Sequence, residues 1–442
     1  MFSPLFQSHR SDVSGRAAQY LQGLMQESPR KNCERMAEFV PGSDDQALQQ
    51  FISNSKWDAD AVMDAVALRA SAVLGNSQET VLILDETGIP KKGEESAGVA
   101  RQWLGSLGKV DNGQVGVFAA LARGDRYVLT HGRLFLPEQW AADPPRCAKA
   151  RIPEEHRVHH SKEKMALDMV VRMRALGVAF GWVVADAGYG KGPGFSLGLA
   201  EAGCRYVVDL HSDFHVYLSD PAPRIPRRKS LGRTPERART RKTAKTVKSI
   251  AKSVGEAWRT KTLRTGSQGD IQYQYHREQI WIWQKGSKQA HEATLIIRRS
   301  ADGKEIKYSL TNAPPSESLL NIAKAQGQRY WIERAFQDAK QNCGMGDYQV
   351  RSWIGWHHHM ALVLMAQLFT TEFRIKTPTE PVPLSSRDIE VLLSIYLPRR
   401  DASPEEIMKS LEKRHAQRAH AMEVHARRKA KDARKTKIVL TE

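Results

Sequence analysis

Apolar residues in the first 78 positions recur three or four apart, as in DADAVMDAVALRASAVL (58–74) and KNCERMAEFV (31–40), with the breaker PGSDD between them. That period belongs to helices that bury one face, so residues 1–78 predict a small N-terminal helical domain. The pattern changes at VLILD (81–85), a short apolar run ending in an acid, as expected of a buried strand with a functional residue at its tip. Strands are predicted again over GQVGVFAALA (113–122) and YVLTHGRLFL (127–136), then a helix over KEKMALDMVVRMRALG (162–177). GWVVADAGYG gives a second strand ending in an acid, and GFSLGLAEAG with CRYVVDLH (194–211) gives a helix and a strand.

Three strands, helix, strand, helix, strand is the order of a ribonuclease H-like α/β domain, a mixed sheet flanked by helices. Its first part is assigned to residues 79–211. From 212 to 316 the composition shifts, first to a basic, proline-broken arm and then to alternating strands: DIQYQYHREQIWIWQ, EATLIIRRS and EIKYSLTN. The pattern predicts an inserted module, a β-meander behind a basic arm. Beyond it, LLNIAKAQGQRYWIERAFQDAKQN predicts one long helical stretch, followed by an apolar helix near 356–375, and 317–377 is taken as the second part of the core. Residues 378–442 predict a C-terminal helical region ending in a basic tail, with ten Lys or Arg between 413 and 437.

Charge sharpens this outline. The chain has 67 Lys and Arg against 49 Asp and Glu, a net +18, without a shortage of apolar residues. A folded protein of that sign attracts polyanions, and nucleic acid is the commonest large polyanion in a cell. Residues 224–264 hold fifteen Lys or Arg and only Glu236 and Glu256 as acids, so the arm is disordered or neutralised by phosphates; Arg227, Arg228, Lys229, Arg241 and Lys242 are its candidate DNA contacts. The four cysteines lie far apart without a CxxC pair, which argues against a zinc site or a disulfide framework. No signal peptide is evident and the longest apolar stretch, near 361–369, is too short to span a bilayer, so a soluble cytoplasmic protein is expected, associated with the nucleoid in a prokaryote and not with a membrane.

Asp85 and Asp186 each end an apolar strand, and adjacent strands would bring their side chains to one edge. Many strands end in Asp merely to start a turn, so neither acid is decisive alone. On the later helix, Arg329, Glu333 and Lys340 fall at offsets of four and seven and share a face. Such a set can be an exposed ion-pair ladder, or a metal ligand beside phosphate clamps. Phosphoryl transfer on DNA needs charge neutralised and a hydroxyl activated, which two divalent ions held by carboxylates accomplish.

The motifs LDETGIPKKG, VARQWLGSLGKVDNGQVGVF, VADAGYG and YWIERAFQDAKQNCGMGDYQVRSW resemble those of DDE insertion-sequence transposases, and are most similar to the insertion sequence 701 family. The resemblance covers residues 20–375. It extends to a signature of Tyr, two residues, Arg, three residues, Glu, six residues, Lys. Arg329, Glu333 and Lys340 match its last three places, while Gln326 stands in the tyrosine place, with Tyr330 adjacent to Arg329. The resemblance implies a transposase that cleaves at terminal inverted repeats and transfers strands to target DNA, working as a homodimer on double-stranded DNA. Asp85, Asp186 and Glu333 would then hold two Mg2+ ions, or Mn2+ in their place, and Arg329 and Lys340 would grip phosphates. It also implies a β-strand insertion between the second Asp and the Glu. A nuclease of the same fold that cuts without joining, or an inactive DNA-binding regulator, are the alternatives.

Secondary candidates are weaker. Lys91, Lys92, Arg101 and Lys109 lie in the glycine-rich segment joining the first two strands, where they could hold a phosphate near Asp85 or belong to a solvated loop. His357, His358 and His359 are consecutive on a helix and cannot converge on one ion, which favours packing. Trp281 and Trp283 alternate on a strand and share a face, suited to core packing or to stacking on an unpaired base.

Overall fold

The computed structural model describes residues 1–8, 11–75, 77–227, 234–266, 269–379, 383–401 and 403–439. Strand β1 (Val81–Pro90) lies inside a ten-stranded mixed sheet. The other strands are β2 (Ala100–Leu104), β3 (Lys109–Arg123), β4 (Arg126–Leu134), β5 (Trp182–Ala185), β6 (Tyr206–Leu210), β7 (Arg259–Gly266), β8 (Gly269–Ile282), β9 (His291–Arg299) and β10 (Ile306–Thr311). β1 pairs antiparallel with β3 and parallel with β5, and β5 pairs parallel with β6. The row β4-β3-β1-β5-β6 is the ribonuclease H-like arrangement expected from the order of elements. Val81 to Leu84 and Val183 to Ala185 are 0 or 1% exposed, because parallel strands covered on both faces must be apolar without alternation.

The meander is not a module apart. β10 pairs antiparallel with β6, so β10-β9-β8-β7 continues the central sheet. β7 itself falls in the basic arm: Arg259–Gly266 forms a strand, and Val247–Lys252 a short helix, where the charge pattern left disorder or neutralisation by phosphates open. Pairing with β8 supplies the order that the sequence RTKTLRTG does not signal by itself.

Helix α1 (Ser14–Met25), α2 (Cys33–Phe39), α3 (Asp45–Asn54) and α4 (Ala59–Leu74) precede the sheet, the last two started by the caps Asp44 and Asp58. α5 (Lys162–Ala175) and α6 (Pro193–Glu201) connect β4, β5 and β6. The stretch expected as one helix is two, α7 (Leu319–Gly327) and α8 (Tyr330–Asn342), the break falling at Gln328 and Arg329, just after Gly327. α9 (Trp353–Lys376) is apolar almost all round because it runs between β4 on one side and α1, α3 and α4 on the other. Gln367, buried within it, accepts from the Leu129 amide at 2.7 Å and donates to the Ala335 carbonyl at 2.8 Å, tying β4 to α8. One apolar cluster reaches from Phe6 to Leu393, so the N-terminal helices and the sheet share a core.

α10 (Ser386–Tyr396) is joined to this core by Lys31, whose buried ammonium donates to the Leu24 and Asn342 carbonyls and pairs with Glu390 at 2.5 Å, holding the C-terminal end of α8. The region read as a basic tail lies in one helix, α11 (Pro404–Val439). Among the described residues no helix is long and apolar enough to cross a membrane.

Candidate active site at the sheet edge

Pairing between β1 and β5 ends at Leu84 opposite Ala185, so the next residues in register are Asp85 and Asp186. Asp85 does not end its strand, since β1 runs on to Pro90 against β3; it stands where β5 stops and its edge opens. Strand alternation sends Asp85 and Thr87 to one face and Glu86 to the other. Accordingly Lys340 of α8 donates to the Thr87 hydroxyl at 2.7 Å, and Lys162 at the start of α5 pairs with Glu86 at 2.6 Å. After β5 the chain turns back at once: the Gly188 amide donates to Asp186 Oδ1 at 2.9 Å. Gly190 follows because a Cβ there would lie 2.0 Å from the Asp209 carbonyl oxygen.

α8 lays its first turn over this edge. Arg329 stands between the carboxylates, Nη2 2.9 Å from Glu333, Nη1 3.8 Å from Asp85 and Nε 3.7 Å from Asp209. Arg329, Glu333 and Lys340 thus share the face that their spacing predicted; Asp85 and Glu333 meet at one guanidinium, and Asp186 reaches it only through its field. Among the described residues no three His, Cys, Asp or Glu approach closely enough to hold a metal as they stand. The donor set nevertheless fits one. Burial and then the neighbouring Asp186 push the Asp85 carboxyl up to about 8, against the pull of Arg329. Burial, with Glu86 and Asp209 nearby, raises Asp186 as well. Two desolvated, mutually repelling carboxylates with hard oxygen donors are short of positive charge, which a divalent cation would supply. Burial works against the Arg329 charge, yet Asp209, Glu333, Asp85 and Asp186 together hold its pKa above the ordinary value. Burial lowers Lys340.

The other candidates disperse. Lys91 is half-buried 3.3 Å over the Tyr348 ring, and burial pushes it down to about 8. Lys92, Arg101 and Lys109 are exposed beyond the end of β1, Lys109 paired with Asp111 at 2.9 Å. Lys91 and Lys92 lie in the loop between β1 and β2, whereas Arg101 and Lys109 stand on the hairpin of β2 and β3, with Trp103 60% exposed. Arg227 and Arg241 are exposed, Lys242 donates to Ser219 at 2.9 Å, and Arg228 and Lys229 lie outside the described residues. Trp281 and Trp283 are half-buried at the end of β8, with β9 and β10 between them and β6; the Trp283 indole donates to the Ser287 carbonyl at 2.9 Å. His357, His358 and His359 are buried and turn to different partners, the Trp353 carbonyl, those of Ile52 and Trp57, and Tyr20 with Gly344.

Sequence reasoning passed over Asp209. CRYVVDLH carries the same signal as VLILD and WVVAD, an apolar strand followed by an acid. A cavity of about 900 Å3 between α2, α3 and α11 contains none of these groups.

Fold and edge define a ribonuclease H-like protein with carboxylates assembled from two parallel strands and a crossing helix. The family described as "DDE superfamily endonuclease" matches residues 2–270, and the chain belongs to it. It is also similar to the "Probable transposase for insertion sequence element IS701" of Microchaete diplosiphon, at 30% identity over 199 residues, 44% of this chain and 48% of that protein. The match thus spans about half the length of that relative. DDE enzymes use divalent metal ions.

Proposed function

We propose that the protein is a transposase that cuts DNA at the inverted-repeat ends of a mobile element and joins those ends to a target. The observation that carries this reading is the register of Asp85 with Asp186 beneath a helix that presents Arg329, Glu333 and Lys340. Asp85, Asp186 and Glu333 would hold two Mg2+ ions, which when bound neutralise phosphate charge and lower the pKa of the attacking hydroxyl. Arg329 and Lys340, both on the face of α8 turned to β1, would bind the phosphate oxygens flanking the cut.

Water attacks phosphorus and the bond to the 3′ oxygen breaks, leaving a 3′-hydroxyl and a 5′-phosphate. That hydroxyl then attacks a target phosphodiester, forming one P–O bond as another breaks, so joining needs no external energy source. A homodimer would bring two ends together. Purified protein incubated with Mg2+, a labelled donor carrying the repeats that flank its gene, and a plasmid target should give joined products. Cut ends without joining would make it a nuclease of the same family, and binding without cutting a regulator.

A further inference from the structure

The acids of this edge form a longer row than the three named so far. β5 and β6 pair as far as Ala185 opposite Val208, so Asp209 follows Asp186 in register just as Asp186 follows Asp85, one acid at the same level on each of three parallel strands. Asp209 is 13% exposed at its side chain and has its two oxygens in different surroundings. Oδ1 accepts from the Ser309 hydroxyl at 2.6 Å and from Gln326 Nε2 at 3.2 Å. Gln326 Nε2 also donates to Ser309 Oγ at 2.5 Å, which locks the pair. Ser309 is the β10 residue directly opposite Asp209, and Gln326 lies on α7 three residues before Arg329. Oδ2 is left facing the Arg329 guanidinium at 3.7 Å.

Arg329 therefore has three carboxylate partners of unequal kind. Two of them, Asp85 and Glu333, are cation ligands in the function proposed above; the third is fastened to β10 and α7 by neutral donors. A guanidinium cannot remain within 4 Å of Asp85 and Glu333 while they carry divalent cations, because like charges at that range repel strongly away from bulk water. Without the third acid it would be expelled to solvent. With one, it pivots.

On the reading that the site is metal-dependent, we propose that Asp209 is the anchor of Arg329: it retains the guanidinium by its Nε side when cations enter, leaving the two Nη groups free to fork onto a substrate phosphate. Asp209 is thus a positioning residue. Gln326, in the place where related signatures carry tyrosine, belongs to the same device because it braces the anchor.

The test is a double-mutant cycle on the full chain with Asp209→Asn, Arg329→Ala and the pair, read by electron paramagnetic resonance of free Mn2+ without DNA and by the cleavage rate at saturating Mn2+. Asp209→Asn keeps the size and the Ser309 contact but drops the charge, so Arg329 leans harder on Asp85 and Glu333. Mn2+ binding should weaken roughly 3- to 10-fold and cleavage slow roughly 10- to 100-fold, while in the Arg329→Ala background neither should change more than about twofold. Equal losses in both backgrounds would assign Asp209 to the cation or to the fold, and no loss in either would also overturn the anchor. If Asp209→Asn lacks a cooperative melting transition, Ser309→Ala goes through the same cycle, and absence of coupling there is equally fatal. Asp85→Asn is run alongside: if it binds Mn2+ normally the metal-site reading itself fails, whereas an Asp209 failure with Mn2+ binding lost in Asp85→Asn sinks the anchor alone.

Discussion

The five core strands and the four that extend them share one sheet but handle charge in opposite ways. At the β1-β5-β6 edge, Asp85, Asp186 and Asp209 stand at adjacent register positions, partly desolvated, with one arginine paired to Asp85 and Asp209. Along the extension, cations lie spread over aromatic faces or in solvent: Arg298 over Tyr273, Arg299 over Trp258, and Arg259 exposed. Arg264 joins the two regions, its guanidinium 4.7 Å from the ring centre of Trp331 on α8. Charge that is concentrated where the dielectric is low acts strongly on one place; charge distributed where water and counterions can leave it suits a long polyanion, as the proposed function requires.

Breaking the concentrated region should have the largest effect. Asp85→Asn, Asp186→Asn and Glu333→Gln, each nearly isosteric, should reduce cleavage below about one part in a thousand of the parent rate while DNA binding, carried by cations elsewhere, stays within a few-fold. Near-parent cleavage in Mg2+ by any one of them would remove that residue from the ligand set.

The distributed region should respond to salt. Neutralising Arg224, Arg227, Arg237, Arg239, Arg241 and Lys242 together should flatten the slope of log affinity against log salt by up to about 5, at about 0.9 per lost phosphate contact. Binding isotherms from low to moderate salt measure it, and an unchanged slope would show that the arm does not touch DNA. No comparable change is expected from the carboxylate variants.

A third effect is confined to the concentrated region and to the metal-free protein. Because the Asp85 carboxyl is raised to about 8 in the folded chain, the native state binds a proton there that the unfolded state releases near pH 4. Stability contributed by that protonated carboxyl is therefore lost as pH rises from about 4 to about 8, and is flat above. Asp85→Asn should remove this slope and be the more stable protein at pH 8, by on the order of a few kcal/mol, in denaturant titrations with chelator present. Saturating Mg2+ should shrink the difference; a parent whose stability is level across that window would contradict the burial of this acid.

The same contrast explains what could be read from the chain. Apolar runs such as VLIL and WVVA are long enough to announce buried strands, and an acid directly after each announced Asp85 and Asp186. Asp209 ends YVV in the same manner, but without the register of β5 on β6 nothing distinguishes it from an acid that starts a turn. β7 was hidden because RTKTLRTG is strand only by virtue of its partner β8, a tertiary cause that propensity does not encode. The break between α7 and α8 was hidden for the opposite reason: the apolar spacing runs through it, and Arg329 keeps helical φ and ψ while its amide bonds to the Gln326 carbonyl three residues back instead of four. The glycines between β1 and β3 suggested a loop, where two of them, at Gly105 and Gly108, only shape the tip of a hairpin.

That hairpin supplies the finest division between the regions, through three tryptophans. Trp281 and Trp283 were candidates for stacking on an unpaired base, yet both are half-buried, and Trp283 has its indole N–H on the Ser287 carbonyl and its ring edge-on to Tyr217 at 6.4 Å. Trp103 is 60% exposed on β2, two residues from Arg101 and in register with Val110, which is itself 50% exposed. An exposed ring has a face open to stacking, while one that has already satisfied its N–H is placed to pack. Trp283→Ala should lower the melting temperature by a few degrees and slow every step of the reaction alike. Trp103→Ala should leave the melting temperature within about a degree and weaken binding to DNA ends with unpaired bases by roughly 5- to 150-fold, the worth of about 1 to 3 kcal/mol of stacking, with a smaller loss on fully paired duplex. Hairpin formation or second-strand cleavage slowed by Trp281→Ala or Trp283→Ala at unchanged melting temperature would reverse the assignment and return the stacking role to the extension.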